Sequence, residues 1–172
     1  MKRFLILFAV VANLVLADAI TKELAAGYLK GSAAVSVIPN LFNLAYVENR
    51  GCAWGMFQGQ VWPLAVFGLL ALAVLVWQRR RIFSFEKVRH PQFFTFHFSL
   101  FTVSEPLLYA GILGNVIDRL FRGYVVDMLD FHWKNAYHYP CFNLADVYIC
   151  VAAGLLILSS LLDSKEKVEK AR

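Results

Sequence analysis

The sequence predicts an α-helical integral membrane protein, four transmembrane helices with a few short strands on their outer face. Three observations lead there. Of 172 residues, 59% are hydrophobic and only 17% are charged, where a soluble domain carries about a quarter charged residues. The apolar residues gather into four runs long enough for helices that cross about 30 Å of hydrocarbon. The basic residues concentrate in alternate segments between those runs. The length suits one domain, residues 1–172.

The first span, Phe4 to Ile20, follows the positive flank Met1-Lys2-Arg3. It imitates a secretory leader, and Ala17-Asp18-Ala19 imitates a cleavage site. The run is longer than a leader's apolar region and the rest of the chain is too apolar for a secreted domain, so retention is expected. Residues 21–60 form the first outer segment. Its middle, Ala34 to Phe57, is rich in Val, Ile, Tyr and Phe, with turn signals at Pro39-Asn40 and Asn49-Arg50-Gly51, which predicts a few short strands. The second span, Val61 to Trp77, carries no charge and is bracketed by Trp62 and Trp77, as interfacial aromatics would be. Phe83 to His97 is long and aromatic for a turn, and is expected to lie along the membrane surface. The third span, about Phe93 to Ile117, contains Glu105-Pro106. The Pro is expected to kink or break the helix, and Glu105 to be neutral or paired inside the bundle. Residues 118–141 form a second outer segment, short, aromatic and acidic. The fourth span is Phe142 to Leu162, followed by a charged tail.

Charge orients these spans. Lys2 and Arg3, then Arg79, Arg80, Arg81, Lys87 and Arg89, then Lys165, Lys167, Lys170 and Arg172 supply eleven of the seventeen basic residues. Four spans put all three groups on one side, and the positive-inside rule makes that side the cytoplasm, with both termini inside. The net charge of +5 then requires no nucleic-acid partner. Cys52, Cys141 and Cys150 show no zinc-ligand spacing and are expected to be small buried hydrophobes.

Four of the twelve acidic residues, Glu86, Asp163, Glu166 and Glu169, are cytoplasmic. Asp18, Glu23, Glu48, Glu105, Asp118, Asp127, Asp130 and Asp146 lie at membrane depth or outside, where a carboxylate needs a partner or a task. Asp18 and Lys22 face each other at i,i+4, either as a self-neutralised pair or as the wall of a site. Gly114-Asn115-Val116-Ile117-Asp118-Arg119 offers a packing Gly and polar groups suited to holding neighbours in place. Val125-Val126-Asp127 is an apolar approach to a carboxylate. In Phe142-Asn143-Leu144-Ala145-Asp146, Asn143 is a candidate N-cap and Asp146 a first-turn acid favoured by the helix dipole. Asp146 could stop at that structural role, or it could form an acid–base pair with another carboxylate. Two carboxyl groups a few ångströms apart raise one pKa; the ionised one takes a proton from water while the other hydrogen-bonds a scissile carbonyl. Such chemistry needs no metal and no cofactor. His90, His97, His132 and His138 form no HExxH pattern, and no nucleophilic-serine spacing stands out.

Together with Asp18-Ala19-Ile20-Thr21-Lys22 and Asn49-Arg50-Gly51-Cys52-Ala53-Trp54, these motifs resemble those of lipoprotein signal peptidases (signal peptidase II), aspartyl peptidases of the bacterial inner membrane, in the same order and across nearly the whole chain. The resemblance implies Asp127 and Asp146 as the catalytic pair. It implies Asn49, Gly51, Asn115, Asp118, Arg119, Asn143 and Ala145 as residues that line or support the site, with Asp18 and Lys22 in the first motif. It further implies a periplasmic β-cradle around residues 34–57, diacylglyceryl prolipoprotein substrates cut just before the lipidated cysteine, contact with membrane lipid, inhibition by globomycin-type cyclic peptides, and a monomer as the working unit. Two other readings use the same residues. A proton-coupled carrier would need acids spread across the bilayer, and only Glu105 is expected near mid-depth. A docking protein would use the aromatic outer loops but leaves the paired acids unexplained.

Overall fold

The computed structural model of the chain describes residues 2–82, 91–134 and 136–170. Four long helices and one antiparallel sheet make up the fold: α1 (Lys2–Leu29), β1 (Val35–Ile38), β2 (Phe42–Asn49), α2 (Val61–Trp77), a short α3 (Arg79–Ile82), α4 (Pro91–Phe121), β3 (Val125–Trp133), β4 (Tyr137–His138) and α5 (Leu144–Lys170). The interfacial segment expected at 83–97 lies outside the described residues as far as position 90; from Pro91 onward its backbone belongs to α4, with Pro at the first helical position, where its missing N–H costs nothing.

Burial is inverted relative to a water-soluble protein. The buried residues of α1 are Asp18, Lys22 and Ala25, while Phe4, Leu5, Ile6, Phe8 and Leu16 are each more than half exposed. A helix with charges inside and large apolar side chains outside is stable only where its exterior is itself apolar. Among the described residues, Lys2–Leu29 and Leu144–Leu162 are long and apolar enough to cross a membrane, and Val61–Trp77 is a shorter apolar helix.

Three elements differ from the sequence expectation. First, α1 continues to Leu29, so Asp18 stands inside the helix rather than at its outer end. The last turns of α1 carry the sheet: Ala25 packs with Val126 and Met128, with Leu29, Tyr46, Tyr124 and Leu129 around them. Second, α4 continues past Asp118 to Phe121. Third, the second outer segment contributes strands of its own. The sheet order is β1-β2-β3-β4, all antiparallel, so β3 pairs with both β2 and β4. Its alternation puts Val126 and Met128 on the α1 side and Asp127 on the opposite face.

Helix α4 is not broken at Pro106. Its neighbours hold it, since α4 is packed against α1, α2 and α5, and membrane helices tolerate Pro where such packing is available. Gly68 of α2 lies against Val116, and Arg79, the first residue of α3, forms an ion pair with Glu105. The expectation that Glu105 is paired holds, and its partner stands just beyond the end of α2 rather than at mid-depth. Glu105 is 3% exposed, so removing only its cation strands a buried charge. Arg79→Met should therefore lower stability by about 3 kcal/mol, and Arg79→Met/Glu105→Met should recover most of it, as read by thermal unfolding in detergent.

The cysteines are free but are not buried hydrophobes. Cys52 and Cys141 are half-buried and Cys150 is exposed. Cys150 falls on the outward face of α5, beside exposed Val151, where the surroundings rather than the protein cover it.

Candidate active site

The site is assembled where four segments meet: the middle of α1, the turn after β2, the end of α4, and the junction of β3 with the start of α5. Close approach of α4 and α5 comes first. A Cβ on Gly111 would meet the Ala145 carbonyl oxygen at 2.5 Å, and one on Gly114 would meet Asp18 Oδ2 at 2.5 Å and Ala145 Cβ at 3.2 Å. Only glycine allows these helices and Asp18 to come together. β3 is then stitched to the segment entering α5: Met128 and Leu129 donate their N–H groups to the Phe142 carbonyl, and Phe142 donates back to Leu129. This places Asn143 beside Asp127.

Asn143 starts α5. Its Oδ1 accepts from the Asp146 N–H at 3.0 Å, and Asp146 Oδ2 accepts from the Asn143 N–H at 3.2 Å. This is a reciprocal capping box, so the structural reading of Asp146 as a first-turn acid is realised. It does not use up the residue. Asp146 Oδ1 accepts from Asn115 Nδ2 at 2.7 Å. The Asn143 amide nitrogen meanwhile donates to Asp127 Oδ1 at 2.7 Å and lies 3.2 Å from Asn115 Oδ1. Asn49 Nδ2 donates to Asp127 Oδ2 at 2.9 Å. Asn143 thus touches both carboxylates.

The two acids differ in setting. Asp127 is 2% exposed, whereas Asp146 is half-buried. Burial first, and then the charge of Asp146, push the Asp127 carboxyl up to about 7, against the opposing hydrogen bonds from Asn49 and Asn143. Asp127 therefore holds a proton to near neutrality. Asp146 sits in the first turn of α5, where its carboxyl oxygens accept from the Asn115 amide and the Asn143 N–H.

The remaining predicted residues converge on this pair. Gly51 sits in the turn after β2, where a Cβ would strike the Met56 carbonyl oxygen at 2.5 Å. Its N–H donates to Asn49 Oδ1 at 2.9 Å and its carbonyl accepts from Arg119 Nη2 at 2.9 Å. Arg119 also donates to the Asn115 carbonyl at 3.2 Å. Asp118 Oδ2 accepts the Val126 N–H at 3.1 Å, and Asp18 Oδ1 accepts the Ala145 N–H at 3.0 Å. Lys22 is 1% exposed and pairs with Asp18 at 2.8 Å and Asp118 at 3.0 Å. The i,i+4 pair read from the sequence is one arm of a larger buried cluster. Every candidate, Asp18, Lys22, Asn49, Gly51, Asn115, Asp118, Arg119, Asp127, Asn143, Ala145 and Asp146, lies in it.

A cleft of about 180 Å³ opens beside Asp127, lined among others by Val47, Cys52, Trp54, Gln58, Pro140 and Cys141. Sequence reasoning did not find Gln58, Pro140 or Cys141; nothing in their type or spacing marks a wall. Burial and the charges of Asp130 and Asp127 push the Cys141 thiol up to about 12, so it is an unreactive wall residue. Trp54 and Tyr139 meet edge to face at 5.3 Å. Arg122 was also missed: it supports Asp118 at 2.9 Å.

The described residues contain no cluster of three metal-ligating side chains. What the arrangement offers is a buried carboxyl of raised proton affinity and a second carboxyl joined to it through one asparagine, next to a cleft.

Residues 10–162 match the family model described as Signal peptidase (SPase) II. The lipoprotein signal peptidase of Clostridium acetobutylicum is 37% identical over 157 residues, 91% of this chain and 93% of that protein. That of Haemophilus influenzae is 35% identical over 156 residues, 88% of this chain and 83% of its own. A bacterial membrane enzyme solved by the in meso method at 2.3 Å resolution superposes with a TM-score of 0.75 at 29% identity, covering 94% of this chain and 90% of the other.

Proposed function

The chain belongs to the signal peptidase II family, and from that premise we propose that it removes signal peptides from lipoproteins by aspartyl catalysis, with Asp127 and Asp146 as the reacting pair. The observation that carries the assignment is Asn143, which joins the pair: its side-chain amide donates to the Asp127 carboxyl, raised to about 7, and its backbone N–H donates to the Asp146 carboxyl.

The mechanism follows from the asymmetry of the pair. Asp127, protonated, donates a hydrogen bond to the scissile carbonyl oxygen. Asp146, ionised, takes a proton from a water that attacks the carbonyl carbon. The tetrahedral intermediate collapses as the amine nitrogen takes a proton from the pair and the C–N bond breaks. No metal or cofactor is required. The substrate is a diacylglyceryl prolipoprotein, cut just before its lipidated cysteine. Four spans (α1, α2, α4 and α5) with both termini cytoplasmic place this chemistry at the periplasmic face of the inner membrane, where a lipid-anchored substrate arrives in the bilayer plane. The sheet is then the periplasmic cradle, a single chain suffices for activity, and a globomycin-type peptide would compete for the cleft.

One experiment tests this reading: purified chain and a diacylglyceryl prolipoprotein, with chelator in the buffer, across a pH series. Turnover is expected to survive the chelator. Because the Asp127 carboxyl is raised, its acid form persists up to about 7 and is lost above it, so kcat/KM should fall roughly tenfold per pH unit on the alkaline side, bending near that value. A flat profile from pH 6 to 9, or loss of turnover on chelation, would overturn the assignment.

A further inference from the structure

Lys22 has no contact with the cleft, yet its ammonium is the hub of the buried cluster. An ammonium has three N–H donors and no acceptor. Lys22 spends all three, on Asp18 Oδ2 at 2.8 Å, Asp118 Oδ2 at 3.0 Å and Asn115 Oδ1 at 3.3 Å. Two consequences follow from those bonds.

The first is mechanical. The other oxygen of Asp18 holds the N–H of Ala145, the residue before Asp146. The Asp118 oxygen that meets Lys22 also holds the N–H of Val126, the residue before Asp127. One cation therefore anchors the residue preceding each reacting carboxyl, on two different elements, β3 and α5.

The second is directional. Asn115 could present either its oxygen or its NH2 to any neighbour. Lys22 can only donate, so the atom facing it must be the oxygen, and the NH2 is then turned to Asp146 Oδ1. The same oxygen faces the Asn143 NH2, which turns the Asn143 oxygen toward the Asp146 N–H. The polarity of both amides is propagated from a donor-only group.

We infer that Lys22 is a positioning residue for the catalytic pair, acting through Asn115 to fix the direction of the amide relay that orients Asp146, and through Asp18 and Asp118 to fix the backbone on which both carboxyls stand. The inference rests on the assignment of Asp127 and Asp146 as the reacting pair. It goes further than charge balance, because a group that only neutralised Asp18 would be dispensable once Asp18 was neutral.

That difference supplies the test. Asp18, Lys22, Asp118 and Arg122 together carry no net charge, and Lys22→Met with Asp18→Asn leaves Asp118 and Arg122 paired, so no charge is orphaned. With a diacylglyceryl prolipoprotein as substrate, this pair of substitutions should lower kcat about a hundredfold with KM within about threefold and the unfolding temperature nearly retained. Asn115→Ala should lower kcat similarly, and combining it with Lys22→Met/Asp18→Asn should cost clearly less than the product of the two separate effects, because the relay through Asn115 is common to both. Turnover within threefold of the parent in the charge-balanced chain, or a full multiplication of the two effects, overturns the inference. Should the charge-balanced chain lose its fold, Lys22→Arg carries the test: the charge stays but the three-way geometry does not, so reduced kcat at unchanged KM supports the inference and unchanged kcat overturns it. Asp146→Asn serves as the reference. If it remains active, the catalytic pair itself is misassigned; if it is dead while the Lys22 variants are active, only the positioning role fails.

Discussion

Asp127→Asn and Asp146→Asn should each reduce turnover of a diacylglyceryl prolipoprotein by at least about a thousandfold while leaving the fold intact. Each change keeps the shape of the side chain and removes the titratable proton. At Asp146, the amide retains an oxygen for Asn115 Nδ2 but turns an NH2 toward the Asn143 N–H, losing one arm of the capping box at about 1 kcal/mol. At Asp127, one of the two amide donors from Asn49 and Asn143 loses its acceptor.

The stability of the Asp127 variant carries its own signature. A carboxyl raised from 3.8 to about 7 binds a proton in the folded state that the unfolded chain has released, between those two values. Folding stability from this group is therefore undiminished below pH 4, declines as pH rises toward 7, and stays lower above it. The shift corresponds to roughly 4 kcal/mol at one pKa unit per 1.36 kcal/mol. Asp127→Asn cannot titrate, so its unfolding temperature relative to the parent should rise between pH 4 and pH 8. An inactive variant with that thermal signature is folded and lacks only the proton. A variant that keeps near-full turnover would remove the residue from the catalytic pair.

Asn143→Ala should have the next largest effect, because this side chain both donates to the Asp127 carboxyl and caps the backbone N–H of Asp146. It deletes the donor to Asp127, the bond to Asn115 and the cap on the Asp146 N–H. Loss of the cap costs about 1 kcal/mol, a modest change in unfolding temperature. Loss of orientation is expected to lower kcat by about a hundredfold or more. The pH profile separates this from simple damage. The Asn143 hydrogen bond lowers the Asp127 pKa against the larger opposing effect of burial, so removing it lets the carboxyl rise further. The alkaline limb of kcat/KM in the residual activity should move to higher pH. A limb that stays in place or moves down would show that Asn143 does not donate to Asp127 in the working enzyme.

By itself the sequence determined the apolar helices, the strands between the first two of them, the candidate residues of the site and the family resemblance, because these are carried by composition and by short motifs. Asn143 and Asp146 are three apart, so their capping relation could be read directly. Asp18 and Lys22 are four apart, so their pairing could be read too. The tertiary structure decided everything that crosses between elements. Only in three dimensions does Lys22 reach Asp118 and Asn115, Gly114 make room for Asp18, and Arg79 meet Glu105 at the end of α2. The extension of β3 past Asp127, which sets that carboxyl on the cleft face of a sheet, was hidden because a strand is stabilised by partners distant in sequence. The raised proton affinity of Asp127 was beyond sequence for the same physical reason: burial and the charge of a residue nineteen positions away act through space, and spacing along the chain does not measure that distance.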